Sequence, residues 1–489
     1  MNLSQLFKDA PSIEIESIMM DSRNALSNSI FFCIKGSIND GHLFVEQAIK
    51  NGAVVIIHSD DLSFYHENKT YIRVKDVHKS LISICTKFYG MPSEKLTVFG
   101  ITGTNGKTSV ATLIKDVLDH KEKCGYIGTL GIRYEAQDLV NGLTTPDVNI
   151  LNHSLSEMVK RDIKSCALEV SSIGIDQGRV ATVDFDYAIF TNFTHDHLDY
   201  HGTMENYFNC KKHFFSSLDE SKYAIINVDD AVAGQIVNDC KAKIVTYGID
   251  HQADYQAKNI ELYADKTVFT LSLSSGGSYR VETNLVALFN VYNLLATISA
   301  LHLYGMEMSE ILEHLHQLNQ IEGRMERINH GQLFNIVVDF AHTPDGIKKV
   351  MDYAKAITPK NARIISVFGS AGKRDVKKRV QFGELADQYC DMIILTEDDP
   401  RDESVSEIAN QIAKGISNKN YIIVEDRYNA IYQAIELANS NDTILILGKG
   451  DEKFLYKEFG KEDYIGDDCA VIAILDKIRK EEEENEQVY

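Results

Sequence analysis

The chain has 489 residues, enough for about three domains, each able to bury a core of its own. Fifty Lys and Arg against 71 Asp and Glu leave a net charge of −21, which excludes the basic footprint of a nucleic-acid binder or of a protein drawn to anionic membranes. Part of that excess is the tail Glu481–Glu486, a solvated end. Eight cysteines, none in a C-x-x-C pair, indicate neither a disulfide framework nor a zinc ribbon. No cationic start with an apolar core opens the chain, and no apolar run reaches membrane-spanning length, so the expectation is a soluble cytoplasmic protein with reduced thiols.

Residues 1–92 read as a small α/β unit: an apolar run Ser29–Ile34, a turn through Gly36 to Gly41, a helical stretch 44–50 and the strand Ala53–Ile57. Asp21-Ser22-Arg23 and the loop Gly36-Ser37-Ile38-Asn39-Asp40-Gly41-His42 are its polar spots, and either alone is ordinary turn chemistry.

Residues 93–321 begin with the most informative stretch, Gly100-Ile-Thr-Gly-Thr-Asn-Gly-Lys-Thr-Ser109. A β-branched run precedes it, and Val110, Leu113, Ile114, Val117 and Leu118 follow at helical spacing. A glycine-rich turn between strand and helix presents free N–H groups and a positive dipole end to phosphate, with Lys107 for the β/γ-phosphates and Thr108 for Mg²⁺. The pattern G-x-x-x-x-G-K-[ST] is departed from once: Ile101 holds the place of the first glycine, which is shifted to Gly103. The plain alternative is a turn capping an ordinary βα unit. Glu169 ends the apolar run Cys166–Val170; a carboxylate there is a Mg²⁺ ligand or is hydrogen-bonded inside the fold. After the strand Tyr187–Phe190, His195, Asp196, His197, Asp199 and His201 crowd one loop at the carboxyl end of a parallel-type strand, where active-site loops lie. Zinc is the rival reading, weakened by the lack of a second ligand cluster. Lys211 and Lys212 lie on the helix that follows.

Residues 322–489 alternate strand and helix. The strands are Asn335–Asp339, Arg363–Phe368, Asp391–Leu395, Tyr421–Val424 and Thr443–Leu447, and Thr343 caps a helix with Pro344 at its first position. This is βαβ alternation, hence a parallel sheet with helices on both faces. The turn Gly369–Gly372 fails G-x-G-x-x-G, so NAD is set aside. The fold class expected for the whole chain is α/β in three domains: a small α/β unit, a central phosphate-loop ATPase with a mostly parallel sheet, and the C-terminal parallel-sheet unit.

Taken together, ten motifs in order resemble the ATP-dependent Mur ligases of peptidoglycan synthesis over nearly the whole chain, and within them the group that adds the third residue to UDP-N-acetylmuramoyl-dipeptide. The carriers are Asp21–Arg23, Gly100–Thr108, Thr144-Thr-Pro146, Glu169–Ser172, Asp196–Gly202 with Met204-Glu205, Phe289–Asn293, Glu322–Glu326, Asp339–Asp345, Asp398–Arg401 and Gly448–Gly450. The resemblance implies a UDP-binding first domain, a central ATPase, and a Rossmann-like C-terminal domain that closes with the incoming amino acid. It implies a cytoplasmic monomer serving cell-wall growth, shape and division, in which a substrate carboxylate takes the γ-phosphoryl group and an amine then displaces phosphate.

Residue by residue, it implies catalytic roles for Lys107, Glu169, His197 and Lys211. ATP falls to Gly103, Thr104, Asn105, Gly106, Lys107, Thr108 and Ser109 with Asn290, Arg324, Asp339 and His342. Thr108, Glu169, His197 and a carbamylated Lys211 would serve Mg²⁺, the CO₂-derived carbamate turning an ammonium into a carboxylate on a long arm. Ser22, Ser37, Ile38 and Asn39 would bind the uridine nucleotide; Thr144, Thr145, Ser171, Gln177 and Arg179 would bind the muramoyl-peptide. Ile173, Leu143 and Ala287 stand where the family usually has histidine, asparagine and glycine.

For the amino acid the resemblance implies Arg374, Asp398, Asp399, Arg401, Gly448 and Glu452. Arg401 suits the second carboxylate of meso-diaminopimelate, which a guanidinium grips by two parallel hydrogen bonds. Asp399 and Asp451, standing where Asn and His are usual, add negative charge that favours a bare ammonium end, so L-lysine or another diamino acid is the alternative. Three further readings compete. Folylpolyglutamate synthase lacks a counterpart to residues 1–92; a non-catalytic regulator on a ligase scaffold predicts damage at Lys107, Glu169, Lys211 or His342, which are intact; an ATPase motor predicts repeats or heptads, which are missing.

Overall fold

A computed structural model of the chain describes residues 1–24, 26–36, 39–139, 142–318 and 320–487. Three sheets follow one another along it. The first has four parallel strands in chain order, Ser17–Met19, Ser29–Phe32, Ala53–His58 and Thr70–Arg73. The helix Val77–Tyr89 covers one face through Val77, Leu81, Ile84 and Cys85, an i, i+4, i+7 stripe; it is capped by Asp76 and stopped by Gly90 in the left-handed region.

The second sheet has eleven strands. At its centre Thr97–Thr102 lies between Ser165–Glu169 and Tyr187–Phe190, all parallel, with Tyr223–Asn227 and Lys243–Gly248 continuing on one side and Cys124–Gly128 on the other. The central strands are buried on both faces, which explains their unbroken apolar character. Their carboxyl ends, Thr102, Glu169 and Phe190, come side by side and open into one crevice. An antiparallel meander, Tyr255–Leu262, Thr267–Leu273 and Ser278–Thr283, extends the sheet beyond the reach of the sequence reading. Helices Lys107–Leu118 and Leu288–Tyr304 pack on the same face; the second is buried through most of its length.

The third sheet has six strands, five of them parallel, in the order Glu326–Arg327, Asn335–Asp339, Thr443–Leu447, Ile364–Phe368, Met392–Leu395 and Asn420–Ile423. The expected helix is Pro344–Ile357, its Thr343 side chain accepting from the Gly346 N–H. The carboxyl ends of this sheet are clamped by a buried pair: Arg427 donates two 2.7 Å bonds to Asp467 and further bonds to the carbonyls of Glu397 and Leu447. A short hairpin, Phe454–Lys457 and Gly460–Asp463, stands over those ends. Among the described residues no helix is long and apolar enough to cross a membrane.

Ala287, at the start of the helix Leu288–Tyr304, has φ +75° and ψ 148°, a conformation that a Cβ strains. Ala287→Gly is therefore expected to stabilise the protein by about 1 kcal/mol, read as a higher denaturation midpoint.

Candidate active site

The crevice is built from the carboxyl ends of the central sheet and closed by the C-terminal unit. Gly103, with φ +152°, turns the chain out of its strand so closely past the next loop that a Cβ there would collide with the Thr191 hydroxyl. That turn leaves the N-terminus of Lys107–Leu118 facing the crevice. Asn192 fixes the loop, its carbonyl accepting from Thr104 N at 2.8 Å and its Oδ1 from Asn105 N at 2.9 Å, while Thr104 Oγ1 lies 2.9 Å from the Tyr207 hydroxyl. Lys107 Nζ donates to the carbonyls of Gly103 and Thr104, both at 3.0 Å. Thr108 and Ser109 are buried in the first turn of the helix.

Glu169 is fully buried and hydrogen-bonded inside the fold. Oε2 accepts from the Thr108 hydroxyl at 3.0 Å and from Thr129 Oγ1 at 3.2 Å; Oε1 accepts from Thr129 N at 3.0 Å and from the Tyr126 hydroxyl. Tyr126 and Thr129 carried no recognisable signal in the sequence; their part is to aim the carboxylate. A hydroxyl beside a carboxylate at a phosphate loop is a donor set for Mg²⁺ shared with phosphate oxygens. Among the described residues no group of three or more His, Cys, Asp or Glu side chains is placed to hold a metal ion.

Lys211 projects from the helix Met204–Ser216 into the same place. It is 1% exposed, its Nζ lies 3.4 Å from Thr102 Oγ1 and 4.9 Å from the Tyr207 ring centroid, and no carboxylate of the described residues pairs with it. Burial, reinforced by Lys107, holds its pKa well below the usual lysine value. Lys212, by contrast, points outward to Asp239 at 2.6 Å.

His197 adopts φ +53° at the start of a short helix, its Nε2 3.3 Å from Asp196 Oδ2. His342 holds Nδ1 at 2.9 Å from the Phe340 carbonyl. Burial lowers both imidazoles from 6.5 to about 4, with nearby lysines adding to the effect, so each is neutral near pH 7. The unfolded chain protonates them near 6.5 and therefore binds more protons than the folded chain between pH 6.5 and 4. Stability is expected to fall as pH drops through that window, and by less for His197, whose side chain is 34% exposed, than for His342. Chemical denaturation at pH 7 and pH 5 checks this, with His342→Asn expected to flatten the dependence.

The other nucleotide candidates surround the loop. Arg324 lies 3.4 Å from Thr108 Oγ1, 4.2 Å over the Phe340 ring and 3.9 Å from Asp451. Asn290 is buried and accepts from Asn293 at 2.9 Å. Asp339 is buried, and its two oxygens accept from Met325 N at 2.7 Å and Ala341 N at 2.8 Å, joining two loops.

Beside Glu169, Thr145 Oγ1 donates to the Glu169 carbonyl at 2.7 Å and accepts from Ser171 N at 2.9 Å, while Thr144 Oγ1 meets Thr129 Oγ1 at 3.2 Å. Arg179 grips the Thr145 carbonyl at 2.7 Å and Gln177 Oε1 at 2.6 Å. These five candidates therefore form one patch. Ser22 belongs to a separate cluster, donating to Gln47 at 3.0 Å, and Asn39 is exposed on its loop. Ser37 and Ile38 lie outside the described residues.

Most of the amino-acid candidates gather at the carboxyl ends of the third sheet. Lys449, fully buried, donates to Asp399 at 2.8 Å and to Glu452. Burial raises Glu452 to about 7 and also raises Asp398. Gly448, φ +112°, lies against Asp398 so closely that a side chain would strike its carboxylate. Arg401, φ +54°, donates its N–H to the Tyr456 carbonyl at 2.8 Å and its guanidinium to the Gly372 carbonyl. Arg374 stands apart, bonded at 3.1 Å to Asp199 of the central unit. With Asn105 to Asp345 at 3.0 Å, that bond ties the C-terminal unit to the phosphate-loop side of the crevice.

Three family profiles match the chain: the Mur ligase family catalytic domain over residues 14–89, the Mur ligase middle domain over 101–301, and the Mur ligase glutamate ligase domain over 323–450. A UDP-N-acetylmuramoyl-L-alanyl-D-glutamate–2,6-diaminopimelate ligase of Bacillus cereus is 38% identical over 478 residues, 96% of each chain. One of Halalkalibacterium halodurans is 37% identical over 447 residues, 90% of each chain. A solved structure of a ligase of the same description superposes with a TM-score of 0.67 at 28% identity, covering 98% of this chain and 99% of its own.

Proposed function

The chain belongs to the Mur ligase family, and from that premise we propose that it joins meso-diaminopimelate to UDP-N-acetylmuramoyl-L-Ala-D-Glu, using ATP, in peptidoglycan precursor synthesis. The observation that carries the chemistry is Lys211, a buried lysine beside the phosphate loop with no carboxylate of the described residues at ion-pair distance. The acceptor is favoured by the names of the relatives and by Arg401. The two acidic departures do not favour lysine over diaminopimelate, because both amino acids bring a distal ammonium and each carboxylate also has a cation near it: Asp399 has Lys449 at 2.8 Å and Asp451 has Arg324 at 3.9 Å.

In this reading residues 1–92 bind the uridine nucleotide, 93–321 carry the phosphate loop and 322–489 bring the amino acid. The patch Thr144, Thr145, Ser171, Gln177 and Arg179 orients the D-Glu side of the peptide so that its carboxylate faces the γ-phosphate held by Lys107 and the loop N–H groups. Thr108 and Glu169, with neutral His197 and a carbamate on Lys211, would hold Mg²⁺, whose bound charge would offset that of the phosphates. The carboxylate oxygen forms a bond to phosphorus as the bond to ADP breaks. The acceptor's neutral amine then attacks the acyl carbon, and phosphate departs with the bridging oxygen and its electron pair. The arrangement supplies position and charge, which is most of what phosphoryl transfer requires.

The test is amino-acid-dependent phosphate release from ATP with UDP-N-acetylmuramoyl-L-Ala-D-Glu and Mg²⁺. Release with meso-diaminopimelate and not with L-lysine is expected; release with lysine alone overturns the acceptor, and release with neither overturns the ligase reading.

A further inference from the structure

Beside the phosphate loop, whose own Lys107 is half-buried, stand two buried lysines, Lys211 and Lys378. Lys107 and Lys211 lie on the central unit and are accounted for above. Lys378 comes from the other side, on the helix Lys377–Tyr389 of the C-terminal unit, and nothing in the proposed reaction uses it. It is 8% exposed. Its Nζ donates one hydrogen bond, 2.9 Å to the carbonyl of His342, and lies 5.6 Å from the Phe382 ring centroid. An ammonium carries three donors, and no carboxylate of the described residues is within ion-pair distance of this one.

A buried charge left in that condition is costly unless an anion meets it. The groups facing it are Asp196 on the central loop and Asp398, Asp375 and Arg374 on its own unit; the carboxylates support its charged form, but burial outweighs them and lowers its pKa. His342, neutral, shares its immediate surroundings. Lys378 thus stands opposite the phosphate loop, beside Asp196 and His342, on the unit that approaches with the amino acid.

We propose that Lys378 is a further catalytic residue, contacting the phosphoryl oxygens of the acyl phosphate and of the phosphate that leaves it. The inference rests on the ligase reading above. As the amine nitrogen forms its bond to the acyl carbon, the bond from that carbon to the bridging oxygen breaks, the oxygen leaves with the electron pair, and a proton from the amine ends on the departing phosphate. Negative charge grows on the phosphate throughout, and an ammonium fixed on the C-terminal unit meets it only when that unit is closed. The second half-reaction is thereby tied to the presence of the amino acid.

Two variants separate charge from structure. Lys378→Gln keeps a donor for the His342 carbonyl and removes the charge; Lys378→Arg keeps both. With the full-length enzyme, Lys378→Gln is expected to lower kcat by about 10²-fold, the magnitude of one lost transition-state contact, with KM for ATP and for the diamino acid within threefold of wild type. Lys378→Arg is expected to recover at least a tenth of the activity. Inorganic phosphate, titrated as an inhibitor in the presence of ADP, is expected to bind at least tenfold more weakly to Lys378→Gln, with ADP affinity and the melting temperature unchanged. Unchanged kcat and unchanged phosphate inhibition overturn the proposal, as does a loss of activity matched by a loss of stability. Should wild type turn over neither diamino acid, the ligase reading fails by itself, and phosphate binding, measured by calorimetry on the ADP complex, still decides whether Lys378 meets phosphate.

Discussion

Lys211→Met is expected to abolish ligation, lowering kcat by more than 10³-fold, while leaving the protein as stable as wild type or more so. The two halves of that result come from one environment. The side chain is almost completely buried, with the Thr102 hydroxyl and the Tyr207 ring beside its nitrogen, no ion pair to a carboxylate among the described residues, and Lys107 as a like-charged neighbour. An unpaired ammonium there is unfavourable, and an apolar side chain of similar length removes that cost. What a methionine cannot do is react. A lysine whose pKa is pushed far down is a neutral amine for much of the time, and a neutral amine adds CO₂, losing a proton and gaining a carboxylate. That product reverses the sign of the site, answering Lys107 and offering oxygens to Mg²⁺. Lys211→Arg is the discriminating partner: guanidinium keeps a positive charge but is not carbamylated, so it is expected to be as inactive as methionine. Enzyme freed of CO₂ is expected to lose activity and regain it with bicarbonate, and ¹³C-labelled bicarbonate is expected to give a carbamate resonance absent from both variants. An active Lys211→Arg enzyme would mean that the residue works as a cation.

How far such an environment can be read from sequence differs from place to place. Strand, loop and helix around Gly103 were legible because apolar runs, glycines and helical spacing are local signals, and the structure puts Thr97–Thr102 and Lys107–Leu118 where they lead. Alternation after residue 335 likewise gave the five parallel strands of the third sheet. The meander over 255–283 escaped because its strands carry mixed polar faces, although Gly276-Gly277 marks one of its turns. Within the crevice, periodicity alone could not tell Lys211 from Lys212; adjacent on one helix, they part by the angle between successive residues, one inward and the other to Asp239. Lys378 and the clamp of Tyr126 and Thr129 on Glu169 were invisible, because each is made by segments 36 to 43 residues apart. Asp339, a motif residue, has a further part that local signals do not show: its carboxylate accepts from backbone N–H groups of two loops.

Arg401 carries the second large effect, and it falls on one substrate only. Arg401→Ala is expected to lower kcat/KM for meso-diaminopimelate by about 10²-fold or more, as for a lost bidentate, charge-assisted contact in a partly buried site, with L-lysine turnover unchanged or raised. The backbone of Arg401 is held by the hairpin through Tyr456, and its guanidinium reaches the Gly372 carbonyl, so the fork is anchored by one nitrogen with donors to spare. Nearby, Asp399 and Glu452 share the ammonium of Lys449, and each carboxylate keeps an oxygen that accepts no other hydrogen bond among the described residues. A diaminopimelate end is a zwitterion, needing a cation for its carboxylate and an anion for its ammonium; lysine needs only the anion. The two loops supply both. Arg401→Lys keeps the charge without the fork and is expected to fall between wild type and alanine. Equal losses on the two amino acids in Arg401→Ala would show that the residue braces the hairpin rather than reading the second carboxylate, and the acceptor would then have to be sought through Glu452 alone.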